Sequence, residues 1–87
     1  MKTIATNAQA ISPDDTAYLS KTGCVYVGTA GNINVLPIDA ANTNDPNNGT
    51  IIKCPAGIVL PLHVKKVFTG TGATATTATD LVLFTEM

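Results

Sequence analysis

Short runs of aliphatic residues, bounded by glycine, proline or asparagine, recur along this chain. Three of them cover residues 24–27, 33–38 and 50–54. Short runs rich in β-branched and aromatic residues, with turn formers between them, are typical of β-strands. The pattern therefore predicts an all-β chain of short antiparallel strands.

The first two runs are close enough in sequence to predict a β-hairpin. A two-residue loop at 31–32 and a three-residue loop at 30–32 are both compatible with the glycine and asparagine there. Since a slip of one residue moves every side chain to the other face, the hydrophobic pattern decides between the two loops. Only the longer loop places all four aliphatic residues on one face: Val25, Val27, Ile33 and Val35. We therefore expect Val27 opposite Val35.

Residues 58–68 predict one long strand that is interrupted at Pro61, because proline cannot donate to a ladder. Alternate residues would share its buried face: Ile58, Leu60, Leu62 and Val64. Val67 is out of phase with Val64, which predicts a β-bulge near Lys65 and Lys66. Residues 81–85 predict the last strand.

The rest of the chain is more polar. Residues 1–12 predict an extended N-terminal arm whose only large aliphatic residues are Ile4 and Ile11. Ser12 and Pro13 begin either a helix of at most two turns or a single turn. Residues 39–49 and 69–79 predict loops. We expect an arm at 1–12 and a single domain at 13–87, folded as a small antiparallel β-sandwich or barrel.

Composition narrows the classes of function. The 87 residues include 13% charged residues, no arginine, and carry a net charge of −1. Nucleic-acid binding relies on clusters of lysine and arginine, so we expect no nucleic-acid partner. No run approaches the roughly 18–20 apolar residues of a membrane span, and residues 3–7 are too short and polar for a signal peptide. We therefore expect neither membrane association nor export.

The residues that could perform chemistry are few and scattered. His63 is the only histidine, and a metal site needs three or four convergent ligands. Cys24 and Cys54 lack metal-motif spacing and could form one disulfide, but without an export signal we expect two reduced, mostly buried thiols. Asp14 and Asp15 are expected to cap a helix end or a turn. We predict no catalytic, cofactor-binding or metal-binding residues and hence no enzyme.

Five blocks follow one another in a fixed order over residues 12–84. They are PDDT at 13–16, VYVGTAGN at 25–32, PAG at 55–57, LPLHVKKV at 60–67 and TDLVLF at 79–84. In this order they resemble small structural proteins of tailed phages and gene transfer agents, namely spike base proteins and capsid decoration or cement proteins. The chain departs from that pattern in three places: the basic residue before the second block is displaced to Lys21, Lys66 stands where arginine is expected, and the loop at 39–49 is longer.

The resemblance implies a non-enzymatic virion protein, assembled in the host cytoplasm, that binds the capsid as a decoration or cement protein or as a head spike base subunit. Its implied partners are the major capsid protein and other copies of itself, with a trimer favoured over a pentamer. Ile4 and Ile11 of the arm are the expected capsid or subunit contacts. The alternative is a small β-sandwich module that binds a carbohydrate or a receptor through the loop at 39–49.

Overall fold

Residues 7–19 and 22–85, which the computed structural model describes, form two antiparallel β-sheets. Sheet A has the strand order β1-β7-β2-β5 and sheet B the order β4-β3-β6. The strands are β1 (Asn7–Ala10), β2 (Cys24–Thr29), β3 (Gly31–Pro37), β4 (Thr50–Cys54), β5 (Ile58–Val59), β6 (Val64–Phe68) and β7 (Thr79–Thr85). Two 3₁₀ turns, Pro46–Asn48 and Gly72–Thr74, lie in the loops. The prediction of an all-β fold is confirmed.

The core lies between the two sheets. Val25, Val27 and Leu83 from sheet A are fully buried in one cluster with Ile33 and Val35 from sheet B. Alternation along β2 explains the sheet A side, because every second side chain points to the same face. The two sheets therefore form a β-sandwich whose inner faces are aliphatic.

The predicted hairpin between the first two runs is wrong, although its common face is right. β2 lies in sheet A, beside β5 and β7, whereas β3 lies in sheet B, beside β4 and β6. Ala30 connects two strands that face one another across the core. A shared buried face is satisfied equally by strands that pair side by side and by strands that pack face to face, so periodicity alone does not separate the two arrangements.

Distant residues hold the chain where it crosses between the sheets. The carbonyl of Asn32 accepts hydrogen bonds from the backbone N–H groups of Thr77 (2.8 Å) and Ala78 (3.0 Å). Gly31 lies so close to this segment that a Cβ atom there would be 2.6 Å from the Ala78 nitrogen. The crossover is thus stabilised by residues more than forty positions away, which a local reading of the sequence does not include.

The predicted long strand at 58–68 is in fact two strands in different sheets. β5 belongs to sheet A and β6 to sheet B, with the crossing at residues 60–63 around Pro61. The predicted buried face is confirmed: two of its residues are buried and two are partly buried against the core, namely Leu60 and Val64, then Ile58 and Leu62. The bulge is also confirmed, because Leu36 pairs with Lys66 and Pro37 with Val64, which leaves Lys65 unpaired.

The described part of the predicted arm adds a strand to sheet A. β1 pairs with β7, with Ala8 opposite Phe84 and Ala10 opposite Val82. Residues 12–19 contain no helix, so the alternative of a single turn is the correct one. This segment instead covers the outer edge of β6, where Asp14 and Leu19 donate backbone hydrogen bonds to the carbonyls of Val67 and Lys65.

Candidate docking surface

Most of the side of sheet A that faces away from the core is apolar, and the exposed Asp80 beside Gly28 is a charged residue at its end. Tyr26 pairs directly with Val82 on one side and with Val59 on the other, and Ala10 extends this row beyond Val82. A second row places Phe84 between Cys24 and Ala8. We call this surface the sheet A outer face, and it consists of Ala8, Ala10, Cys24, Tyr26, Val59, Val82 and Phe84.

No member of the sheet A outer face is fully buried. Val59 is 45% exposed, and Ala8 and Ala10 are also exposed. The rings of Tyr26 and Phe84 pack against each other, with centroids 6.2 Å apart at a tilt of 36°. Such aromatic pairs stabilise a fold beyond the area they bury.

The local sequence explains why both faces of sheet A are apolar. The runs CVYV in β2 and LVLF in β7 are continuous rather than alternating. Alternating runs are typical of strands with one solvated face, whereas continuous runs are typical of strands covered on both faces. The continuity of these runs is the sequence signal for this surface, and alternation alone does not reveal it.

Sheet B differs, because the chain itself covers its outer side. Asn34 is fully buried, and its side-chain nitrogen donates to the carbonyls of Pro46 (2.8 Å) and Thr74 (2.9 Å). One side chain therefore joins the loop at 39–49 to the loop at 69–78. Gly49 is required here, since a Cβ atom would lie 2.0 Å from the Asn34 Oδ1 atom.

A buried lysine joins the same loop to the N-terminal segment. Lys66 is fully buried, and its Nζ atom donates to the carbonyls of Asp15 (2.9 Å) and Thr43 (2.8 Å) and to Asn44 Oδ1 (2.7 Å). The Nζ atom also lies 3.9 Å from the centroid of the Tyr18 ring. Three acceptors and an aromatic face compensate the ammonium group for lost hydration.

The two residues predicted as capsid or subunit contacts have different positions. Ile4 lies outside the described residues. Ile11 packs against the protein's own core, and its N–H donates to the Leu81 carbonyl at 3.1 Å. It also lines a shallow groove of about 340 Å³ that runs between β1 and residues 17–19. Contact of either residue with a partner stays a prediction.

The candidate chemical groups do not converge. His63 is exposed, and Cys24 and Cys54 are both free thiols, with Cys54 in the core. Burial raises the pKa of the Cys54 thiol, which therefore stays protonated at neutral pH. Among the described residues, no three His, Cys, Asp or Glu side chains form a group that could hold a metal ion. Nor does that part of the chain contain a helix long and apolar enough to cross a membrane.

Of the two predicted capping aspartates, Asp14 caps a turn, whereas Asp15 binds a distant segment of the chain. Asp14 accepts hydrogen bonds from the N–H groups of Thr16 and Ala17 and from the Thr16 hydroxyl. These bonds, led by the one from the Thr16 N–H, lower the pKa of the Asp14 carboxyl. Asp15 accepts from the N–H groups of Thr69 and Gly70, so it connects the segment at 12–19 to the loop at 69–78.

Comparison with known proteins identifies a shared fold. No protein-family model matches the chain, and no curated protein matches it. It is similar to a chain in a solved structure described as the capsid of a native gene transfer agent (GTA) particle computed with C5 symmetry. The two share 23% sequence identity with a TM-score of 0.69, over 94% of this chain and 84% of that one. Nearly the whole β-sandwich is therefore common to both chains.

Proposed function

We propose that this chain is a non-enzymatic structural protein of a phage-like or gene-transfer-agent-like particle. The observation that carries the proposal is the fold shared with a chain of a gene transfer agent capsid over 94% of the present chain. The ordered sequence blocks at 13–16, 25–32, 55–57, 60–67 and 79–84 support it independently, because they follow from residues and not from the fold.

The finer role that we propose is binding to the outside of the capsid, either as a decoration or cement protein or as a head spike base subunit. The partners are then the major capsid protein and further copies of this chain, as a trimer in preference to a pentamer, and the protein is found in the virion after assembly in the host cytoplasm. A chain with only 13% charged residues and one apolar outer face suits a subunit whose neighbours complete its burial.

The experiment that tests the class of function is quantitative proteomics on purified particles from the host that encodes the chain. We expect the protein in many copies per particle, in constant ratio to the major capsid protein across density-gradient fractions. Absence from the particle fractions, or presence only in trace amounts that do not follow the capsid protein, would contradict the proposal.

Particles made without the protein separate the two finer roles. A cement protein holds neighbouring capsid subunits together, so its loss should lower the temperature at which the capsid opens, and adding the purified protein should restore it. A spike base subunit should leave that temperature unchanged and should appear only at the capsid vertices in a particle reconstruction. Density at three-fold or quasi-three-fold positions would favour the decoration role.

A further inference from the structure

We infer that the sheet A outer face is the surface that docks on the capsid, and that its occupant is an uncharged, apolar surface of the assembled shell. This inference rests on the proposed function and adds the contact face to it. The first observation is that all seven side chains of the face are uncharged and form two continuous rows across the sheet. The exposed Asp80 lies on the same side beside Gly28, beyond the end of both rows.

The contrast between the two sheets is the second observation. Each sheet has apolar residues on its outer side, but the loops at 39–49 and 69–78 cover sheet B and are held there by Asn34 and Lys66. No described segment covers sheet A in this way: on the outer side of sheet B, Leu36, Lys66 and Phe68 are buried. On the outer side of sheet A, Tyr26, Val82 and Phe84 are only half-buried. The continuous runs in β2 and β7 are suited to burial on both faces, so sheet A is complete only when another molecule covers it.

The area of the face argues against a second copy as the occupant. At about 4.8 Å between strands and about 6.7 Å between residues on one face, seven residues cover roughly 220 Å². Stable interfaces bury about 800 Å² per partner. Two copies stacked through this face would bury much less than that, even if the protruding side chains doubled its area. The face therefore suits a subunit that binds a repeating lattice, where other contacts and neighbouring copies add to a small apolar patch.

Two substitutions of equal chemistry test the assignment. Val59 and Ile51 are both aliphatic, lie on edge strands and are 45% and 43% exposed, but Val59 is on the sheet A outer face and Ile51 on sheet B. Aspartate is too short to carry its charge past the rim of an apolar contact, so Val59→Asp buries an unpaired carboxylate when the protein docks. Since neither site is in the core, both variants should fold.

Binding is measured by co-sedimentation of the purified variants with particles that lack the protein. Val59→Asp should bind at least about tenfold more weakly than the wild type, whereas Ile51→Asp should differ by no more than about twofold. Equal binding by the two variants, or a larger loss for Ile51→Asp, would overturn the inference.

The labelling rate of Cys24 provides an independent readout in the wild-type chain. Cys24 lies on the face, while Cys54 lies in the core and serves as the internal reference. On particles, maleimide labelling of Cys24 should slow about tenfold or more relative to the free protein, as its thiol becomes covered. An unchanged Cys24 rate on protein that is bound to particles would refute the docking face and leave the proposed function intact.

Two other outcomes distinguish the remaining possibilities. Failure of the wild-type protein to bind particles, with no protein in native particles, would refute the proposed function itself. Slower Cys24 labelling as the concentration of the free protein rises would show that a second copy covers the face, and this would overturn the choice of occupant.

Discussion

Replacing Lys66 by methionine tests how this small sandwich holds its loops against sheet B. The lysine is fully buried, and its Nζ atom donates to Asp15, Thr43 and Asn44, which belong to two different surface segments. Methionine keeps most of the aliphatic stem and removes the ammonium group. The variant therefore isolates the contribution of one buried cation with three oxygen acceptors.

Two opposing terms set the expected magnitude. Each hydrogen bond to a charged group contributes about 1.5–3 kcal/mol, and the variant loses three of them. Against this, the variant no longer buries an ammonium, which recovers several kcal/mol of desolvation cost. Asn44 is exposed, so water can reach part of the released acceptor set. We expect Lys66→Met to lower the free energy of unfolding by about 1–3 kcal/mol.

The assay is equilibrium unfolding in urea, followed by circular dichroism, with Lys65→Met as the matched control. Lys65 donates to the Ala40 carbonyl (2.5 Å) and to Asn42 Oδ1 (2.6 Å), but it is only partly buried, so water replaces these bonds and the cost should stay below about 1 kcal/mol. Lys66→Ala should be worse than Lys66→Met by roughly 2–3 kcal/mol, because a methylene, the sulfur and the terminal methyl group of methionine also leave the interior.

The reasoning predicts an order of stability: wild type, Lys65→Met, Lys66→Met, Lys66→Ala. In a domain of this size, Lys66→Met should lower the melting temperature by about 4–8 °C for each kcal/mol lost. A Lys66→Met protein as stable as the wild type, or more stable, would show that the desolvation cost of the ammonium group outweighs its three hydrogen bonds. It would refute the view that Lys66 stabilises the fold by binding residues 12–19 and the loop at 39–49.

Three further predictions concern single residues. Val27→Ala should lower the free energy of unfolding by about 1–3 kcal/mol, because Val27 is fully buried in the core. Val59→Ala, the same change at a 45% exposed site, should lower it by less than about 0.5 kcal/mol. Equal losses in urea unfolding would contradict the placement of Val27 in the core. The pKa of Asp14 is lowered in the folded state, so its stabilising contribution is present above the ordinary pKa of 3.8 and is lost as the pH falls through the lower folded pKa. The difference in melting temperature between the wild type and Asp14→Asn should therefore shrink in acid. A difference that does not change with pH would refute this prediction. Because burial raises the pKa of Cys54, a thiol reagent should modify Cys24 first and Cys54 only upon unfolding, and two equally fast thiols would contradict the structure.

Local signals in the sequence were sufficient for most of the strands and for their buried faces. Val25, Val27, Ile33 and Val35 are all buried as predicted, because side-chain alternation depends only on neighbouring residues. The bulge at Lys65 was equally accessible, since a phase change in alternation is a local property. The candidate docking surface was less predictable. The arm residue Ile11, expected to contact a partner, packs on the core, whereas the surface contains Val82 from a continuous apolar run for which no contact was predicted.

Lys66 shows most directly what local pattern does not predict. An adjacent lysine pair is typical of a solvent-exposed surface. The Lys66 ammonium group can be buried only because Asp15, Thr43 and Asn44, from distant parts of the chain, accept its hydrogen bonds and offset its desolvation cost. Asn34 is similar, because its burial depends on the carbonyls of two loops that meet over sheet B.

The sequence by itself determined the all-β class, the strand positions apart from β1 and the split at residues 58–68, the inward-facing residues and the order of blocks that resembles small virion proteins. The tertiary structure alone decided which strands pair, that the chain crosses between sheets at Ala30 and Pro61, and which outer face the described residues leave uncovered. The physical reason is the sequence separation of the interacting residues. Side-chain alternation and turn formation depend on neighbouring residues, whereas strand pairing and the covering of a face depend on segments forty or more positions apart.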